Sequence, residues 1–113
     1  MNIFTNESNH GNIEYKLNFK KMTNNKFQKY SSQLKYRVLE GYGKAIYIIG
    51  ISDDGNIVGL DKSEVKKTIN LLHYICNNIH CKIDFILKCS FKNKIFLIFS
   101  IISNFNIDKL EFI

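Results

Sequence analysis

Four side chains of types that bind zinc lie close together in the second half of the sequence: His73, Cys76, His80 and Cys81. The first three follow the spacing i, i+3 and i+7, so a helix would bring them towards one face. One helix rarely supplies three tetrahedral zinc ligands, and zinc sites usually contain a CxxC-type pair. The spacing therefore favours a buried Cys76 flanked by surface histidines, and we predict no metal site here.

A glycine-rich stretch, Gly41-Tyr42-Gly43-Lys44-Ala45, is the second candidate for chemistry. A phosphate-binding loop needs the pattern GxxxxGK[ST], in which backbone N–H groups and a lysine surround the phosphates. This stretch lacks both the upstream glycine spacing and the hydroxyl residue. We interpret its glycines as a helix stop and a strand entry, and we expect no GTP binding.

Positive charge is concentrated between Glu14 and Lys44, a segment that carries the entire net charge of +6 of the chain. Lysines at this density suit contacts with phosphates, and tyrosines among them can stack on bases. The alternative is a solvated helix face in a lysine-rich protein. The candidate nucleic-acid-binding residues are Lys16, Lys20, Lys21, Lys26, Lys29, Lys35, Arg37 and Lys44, with Tyr30 and Tyr36 for stacking.

The spacing of apolar residues predicts the strands and helices that position these candidate residues. Asn12 to Phe19 alternates between apolar and polar residues, which predicts a half-buried strand with Glu14 towards solvent. Thr23 or Asn24 caps a helix that runs to about Leu39. An apolar strand over 45–51, a turn at 53–56 and a short strand over 57–60 follow.

The second half of the chain predicts one more helix and two strands. The helix opens near Ser63, and its core positions are Val65, Ile69, Leu72, Cys76 and Ile79. Strands over 83–87 and 95–102 follow, the latter central because it is apolar on both sides. The order β-α-β-β-α-β-β predicts an α+β domain, with two helices on one face of a mixed sheet, over residues 12–113. Residues 1–11 are predicted to be a flexible polar tail.

Composition excludes several classes of protein. The polar start does not resemble a signal peptide, and the longest apolar run, 95–102, is far shorter than the roughly 18 residues that suggest a membrane span. Three cysteines without framework spacing indicate reduced thiols. We therefore expect a cytoplasmic protein that has no membrane partner.

The stretch from Glu40 to Gly55 resembles the N-terminal region of the GTP-binding protein 1 family when it is taken together with Asn12-Ile13-Glu14-Tyr15-Lys16-Leu17 and Gln33-Leu34-Lys35-Tyr36-Arg37. Those proteins are translational GTPases related to elongation factor Tu. The resemblance covers residues 12–80, and it implies a relation to translation factors, although the GTPase itself is missing. Lys44 stands where that family has an acidic residue.

The same layout also resembles the AlbA-type module of Schlafen proteins, some of which cleave RNA with two glutamates and an aspartate. The resemblance implies Glu14 as the second glutamate and Asp53 or Asp54 as the aspartate. Asn9 occupies the position of the first glutamate. Such a site would need Mg²⁺ or Mn²⁺, whereas a non-catalytic module needs no cofactor.

We therefore predict a non-catalytic module that binds RNA or the ribosome. The alternatives are a Schlafen-like metal-dependent endoribonuclease and a protein-interaction module. The latter includes a homodimer formed through an exposed sheet edge or an apolar patch.

Overall fold

Six regular elements occupy residues 4–107, the part of the chain that the computed structural model describes. They are β1 (Ile13–Lys16), α1 (Asn24–Glu40), β2 (Lys44–Ile49), α2 (Lys62–Asn78), β3 (Cys81–Phe91) and β4 (Lys94–Ser103). The sheet order is β1-β2-β4-β3, with β1 parallel to β2 and the other two pairs antiparallel. The predicted α+β class, the mixed sheet and the central position of β4 are confirmed.

Local sequence explains where both helices begin and end. The Thr23 side chain accepts a hydrogen bond from the Lys26 N–H at 3.2 Å and so caps α1. The Gly41 N–H closes this helix on the Arg37 carbonyl, and Gly43 then turns the chain with a φ of 102°. These contacts account for both glycines of the lysine-containing stretch. At the start of α2, Glu64 accepts the Asp61 N–H at 3.1 Å.

The core lies between the two helices and one face of the sheet. Leu34 and Val38 of α1 and Leu72 and Cys76 of α2 pack there against inward-facing residues of β2 and β4. Within residues 4–107, no helix covers the other face of the sheet. A smaller cluster on that face is formed by Tyr15, Ile48, Ile51 and Phe96, with Phe4 packed against it.

The predicted short strand over 57–60 does not form. Only two isolated bridges occur in this region, Ile51 with Ile57 and Leu60 with Ile95. The N–H groups of Val58 and Gly59 both bind the Gly50 carbonyl, which prevents a regular ladder. By contrast β3 is longer than predicted, because Lys92 and Asn93 both adopt positive φ and make a tight hairpin into β4.

Residues 4–11 contact the domain over most of their length. The Glu7 N–H donates to the Asp53 carbonyl at 2.7 Å, and the Tyr15 hydroxyl donates to the Thr5 carbonyl at 3.0 Å. Phe4 lies edge-on to Phe96 with ring centroids 5.7 Å apart. The composition of this segment, from which we predicted a flexible tail, did not indicate these contacts. The predicted end of the domain at residue 113 lies outside the described residues.

Within residues 4–107, neither helix is long and apolar enough to cross a membrane.

Candidate nucleic-acid interface

Arg37 is buried between β1 and the N-terminal segment, where its guanidinium joins several parts of the chain. The residue is 4% exposed, and Nε donates to Glu14 Oε2 at 2.9 Å. Nη1 and Nη2 donate to the carbonyls of Ser8, His10 and Gly11 at 2.7–3.2 Å. This planar, multiply bonded geometry suits arginine and not lysine. Arg37 was predicted to contact nucleic acid, but its head group already binds Glu14 and the three backbone carbonyls.

The predicted orientation of Glu14 is wrong. Glu14 is 5% exposed and faces α1, whereas its apolar neighbour Ile13 is 44% exposed. The period of two along β1 is present, but the charged residues take the helix-facing side because Arg37 compensates the carboxylate there. The Glu14 side chain is therefore part of a buried ion pair.

Glu7 brings a second carboxylate to the same arginine. Its Oε2 lies 3.9 Å from Arg37 Nη2 and accepts the Tyr15 N–H at 2.5 Å. Partial burial raises the pKa of Glu7, the Tyr15 N–H opposes that shift, and the negative charges of Glu14 and Asp53 add to it. Asn9, which the Schlafen resemblance aligns with the first glutamate, lines the same cleft, and Glu7 is the carboxylate that lies close to Glu14.

A cleft of about 380 Å³ opens between this cluster and α1. Its lining combines ionic and amide groups from three parts of the chain: Glu7, Asn9, Glu14, Ser32, Gln33, Tyr36 and Arg37. Lys16 borders it, donating to Gln33 Oε1 at 3.3 Å and lying 4.2 Å from the centre of the Tyr30 ring. Burial lowers the pKa of Lys16, and the nearby Lys29 adds to this shift against the opposing effect of Glu14 and Glu7.

Most of the predicted lysines lie at the surface but not on one side. Lys26 and Lys29 are exposed on the first half of α1, with Lys29 close to Lys16, whereas Lys35 lies nine positions after Lys26, about 180° around the helix. Lys20 pairs with Glu64 at 3.6 Å and with Asp61 at 3.8 Å. The other exposed members of the set are Lys21 before α1 and Lys44 at the start of β2.

The two predicted stacking residues differ in accessibility. Tyr36 is 41% exposed, and its hydroxyl lies 2.8 Å from Glu40 Oε1 and 3.1 Å from the Asn9 carbonyl. That contact with Glu40 raises the pKa of Tyr36. Tyr30 is half-buried, with its ring between Lys16 and Phe19. Only Tyr36 of this pair therefore presents a widely open ring.

The turn carboxylates belong to a local hydrogen-bond network. Asp54 accepts hydrogen bonds from the Ser52 hydroxyl and from Asn56 Nδ2, and these contacts lower its pKa. Asp53 is exposed, and its carbonyl accepts a hydrogen bond from the Glu7 N–H.

In residues 4–107, no three His, Cys, Asp or Glu side chains are arranged to bind a metal ion. This finding covers the carboxylates and also the group His73, Cys76, His80 and Cys81, of which His73 and Cys76 lie on α2 while His80 and Cys81 follow its end.

Sequence reasoning missed the roles of Glu7 and of buried Arg37. One signal for Arg37 was present, because it is the only arginine among 16 basic residues. A position that requires a planar fork of donors selects arginine even where lysine is otherwise preferred. Glu7 gave no comparable signal, since its neighbours are polar and its partners lie far away in sequence.

Comparison with known proteins relates part of this chain to a larger protein. GTP-binding protein 2 of mouse and of human is 37% identical to it over 73 residues, which is 65% of this chain. That stretch is 12% of GTP-binding protein 2, so this chain matches only a small part of its relative. An uncharacterized protein of Acanthamoeba polyphaga mimivirus is 33% identical over 78 residues, which is 68% of this chain and 42% of that protein. No protein-family model and no solved structure matches the chain.

Proposed function

We propose that this chain is a non-catalytic RNA-binding module of the cytoplasm, associated with RNA or the ribosome. Its similarity to a region of GTP-binding protein 2 supports a relation to translation factors. The name of that relative refers to GTP, but the present sequence contains no GxxxxGK[ST] pattern. The proposal therefore assigns no GTP site to this chain.

The observation that carries the proposal is an imbalance of accessible charge along β1 and α1. Six of the eight basic residues between Glu14 and Lys44 are exposed: Lys20, Lys21, Lys26, Lys29, Lys35 and Lys44. Of the two acidic residues in this segment, Glu14 is buried against Arg37 and Glu40 contacts the Tyr36 hydroxyl. The buried Arg37–Glu14 pair is neutral as a whole, so the net charge of +6 of the segment rests on its lysines, most of which are exposed, and this favours phosphate contacts.

The cleft beside β1 supplies groups suited to a single RNA strand. Lys26 and Lys29 border this side of α1 as phosphate-binding cations, and the open Tyr36 ring offers a stacking surface. Gln33 and Asn9 line the cleft with amide groups that hydrogen-bond to base edges or to the 2′-hydroxyl. Arg37 is left out of this surface because its donors are occupied by Glu14 and the N-terminal segment.

The test is a titration of fluorescently labelled single-stranded RNA, followed by anisotropy at several salt concentrations. About five phosphate contacts predict a slope of log K against log[salt] near −3.5, since each contact to a single strand contributes about −0.7. Replacing Lys26 and Lys29 together with glutamine should reduce the magnitude of this slope by about 1.4. A Tyr36→Leu variant should weaken binding without changing the slope.

The matched control is the double replacement of Lys66 and Lys67 with glutamine. These lysines are also exposed and also lie on a helix, but on α2. The proposal predicts a nearly unchanged slope for this control. Equal losses from both lysine pairs would mean diffuse attraction to a basic protein, and the proposal would then fail.

A metal-dependent ribonuclease is the second candidate function, because Glu7 supplies a carboxylate close to Glu14. The donor set does not fit a divalent cation, since Arg37 binds an oxygen of Glu14 at 2.9 Å. We therefore expect no RNA cleavage with Mg²⁺ or Mn²⁺. Cleavage by the native chain that disappears in a folded Glu14→Gln variant would contradict this expectation and support the enzyme.

A further inference from the structure

Strand β3 forms one edge of the sheet. It is 11 residues long and pairs with β4 on one side, and no strand within residues 4–107 pairs with its other side. Such an edge presents a row of backbone N–H and C=O groups that can bind another strand. Any partner must supply a strand whose side chains complement those of β3.

Two large apolar side chains lie at the centre of this edge. Phe85 and Leu87 are each 50% exposed, and they pair with Ser100 and Ile98 of β4. Alternation on β4 places these partners on the sheet face opposite Phe99, which packs in the core with the helices. Phe85 and Leu87 therefore lie on the helix-free face.

The charges around these residues are arranged symmetrically. The segment reads Asp84-Phe85-Ile86-Leu87-Lys88, with an acidic and a basic residue at equal distances from Ile86. Both charged residues are exposed. In an antiparallel pair of identical strands, residues at equal distances from the centre lie opposite each other.

We propose that β3 pairs in antiparallel orientation with β3 of a second copy of this chain, centred on Ile86. Asp84 of each copy then lies opposite Lys88 of the other, and Phe85 lies opposite Leu87. One two-fold axis generates two opposite-charge pairs and two apolar cross-strand pairs. The four-stranded sheets join into one of eight strands, with all helices on the same face.

Other registers of the same strand are less favourable. Centring the pair on Lys88 places two lysines directly opposite each other, and centring it on Asp84 does the same with two carboxylates. A shift by one residue, to Leu87, places Lys88 opposite Ile86 and leaves both charges without an opposite charge. Charged side chains on an edge strand usually disfavour association, whereas the charges on this edge have a self-complementary register.

Four of the five residues of the symmetric segment lie in a regular part of the ladder. The register of β3 on β4 shifts between Ile83 and Phe85, so the bulge lies at Asp84, at one end of the symmetric segment. From Phe85 to Phe91 the ladder is regular. The proposed contact lies at the opposite edge of the sheet from β1, so it does not compete with the proposed RNA surface.

Sedimentation velocity of the whole chain tests the proposal, at protein concentrations from about 5 to 500 µM, a range suited to interfaces of small area. The native chain should show a concentration-dependent monomer–dimer equilibrium. Asp84→Lys and Lys88→Asp should each raise the dimer dissociation constant roughly tenfold or more, because each single change converts two attractive pairs into two repulsive ones. Lys66→Asp, on the exposed face of α2, is the matched charge control.

Two further measurements make the test specific for the register. An equimolar mixture of the Asp84→Lys and Lys88→Asp chains should form a heterodimer, since every opposing pair again has opposite charges. The double variant Asp84→Lys/Lys88→Asp should regain the homodimer. A native chain that stays monomeric throughout, a dimer that both single changes leave intact, or a double variant no better than the singles would each overturn the proposal. Circular dichroism verifies that each variant is folded.

Discussion

Replacing Arg37 with methionine should destabilise the protein by about 3–5 kcal/mol, because it leaves the carboxylate of Glu14 buried without a compensating charge. Glu14 is only 5% exposed, and the 2.9 Å contact from Arg37 Nε is its ion pair. The carbonyls of Ser8, His10 and Gly11 lose their donors at the same time. Domains of this size have unfolding free energies of about 5–15 kcal/mol, so the change removes a large part of the total.

Urea denaturation followed by circular dichroism measures this loss, and a thermal scan should show a fall in Tm of at least about 10 °C. Arg37→Lys should lose less, about 1–3 kcal/mol, because an ammonium group pairs with Glu14 but cannot also reach the three carbonyls. Lys35→Met, an exposed change on the same helix, is the control and should have little effect.

A double-mutant cycle identifies the cause. Glu14→Gln on the Arg37→Met background removes the uncompensated charge and should recover at least about 1 kcal/mol relative to Arg37→Met alone. An Arg37→Met variant that loses less than about 1 kcal/mol, or a double variant without recovery, would refute the buried ion pair as the main stabilising contact of β1.

Three further predictions follow from other buried groups. The Tyr47 hydroxyl is fully buried and has no hydrogen-bond partner within the described residues, so Tyr47→Phe should leave the free energy of unfolding unchanged or raise it by up to about 1–2 kcal/mol. A loss in urea denaturation would contradict this. The pKa of Glu7 is raised in the folded protein, so the folded state binds the Glu7 proton more tightly than the unfolded state does. The free energy of unfolding therefore falls as the pH rises from about 4.5 through the pKa of Glu7 in the folded protein. Glu7→Gln should therefore have a higher Tm than the native chain at pH 7, with the difference vanishing near pH 4. Burial raises the pKa of Cys76 to about 12, so a thiol reagent should label the half-exposed Cys89 first in the folded protein, and equal rates for all thiols would refute this.

The helices and most of the strands were predictable because their signals are local. Thr23 caps α1 as its side-chain chemistry requires, and the apolar spacing of Leu72 and Cys76 places them in the core. The short strand after the Asp53 turn was not predictable in the same way. Its backbone donors go to the Gly50 carbonyl, and a propensity argument does not include this competition.

The candidate site was harder to predict, for two physical reasons. Alternation along β1 shows which residues share a face, but it does not show which face is covered by a helix. The Glu14 side chain therefore lies on the face covered by α1, and not on the predicted solvent face. The cluster itself depends on groups far apart in sequence, since Arg37 lies 23 residues from Glu14 and 29 from Ser8. Only the tertiary fold brings such groups together.

The attachment of residues 4–11 has a consequence for the order of folding. Because this segment binds α1 through Arg37 and the Asp53 turn through Glu7, both surfaces must be formed before it can dock. We therefore expect it to join late and to open first, as a unit with lower local stability than the central strands. Each opening uncovers the apolar residues that Phe4 packs against, including Phe96, on the face of the sheet without helices. The population of this open form then adds to global unfolding as a route by which the chain exposes an aggregation-prone surface.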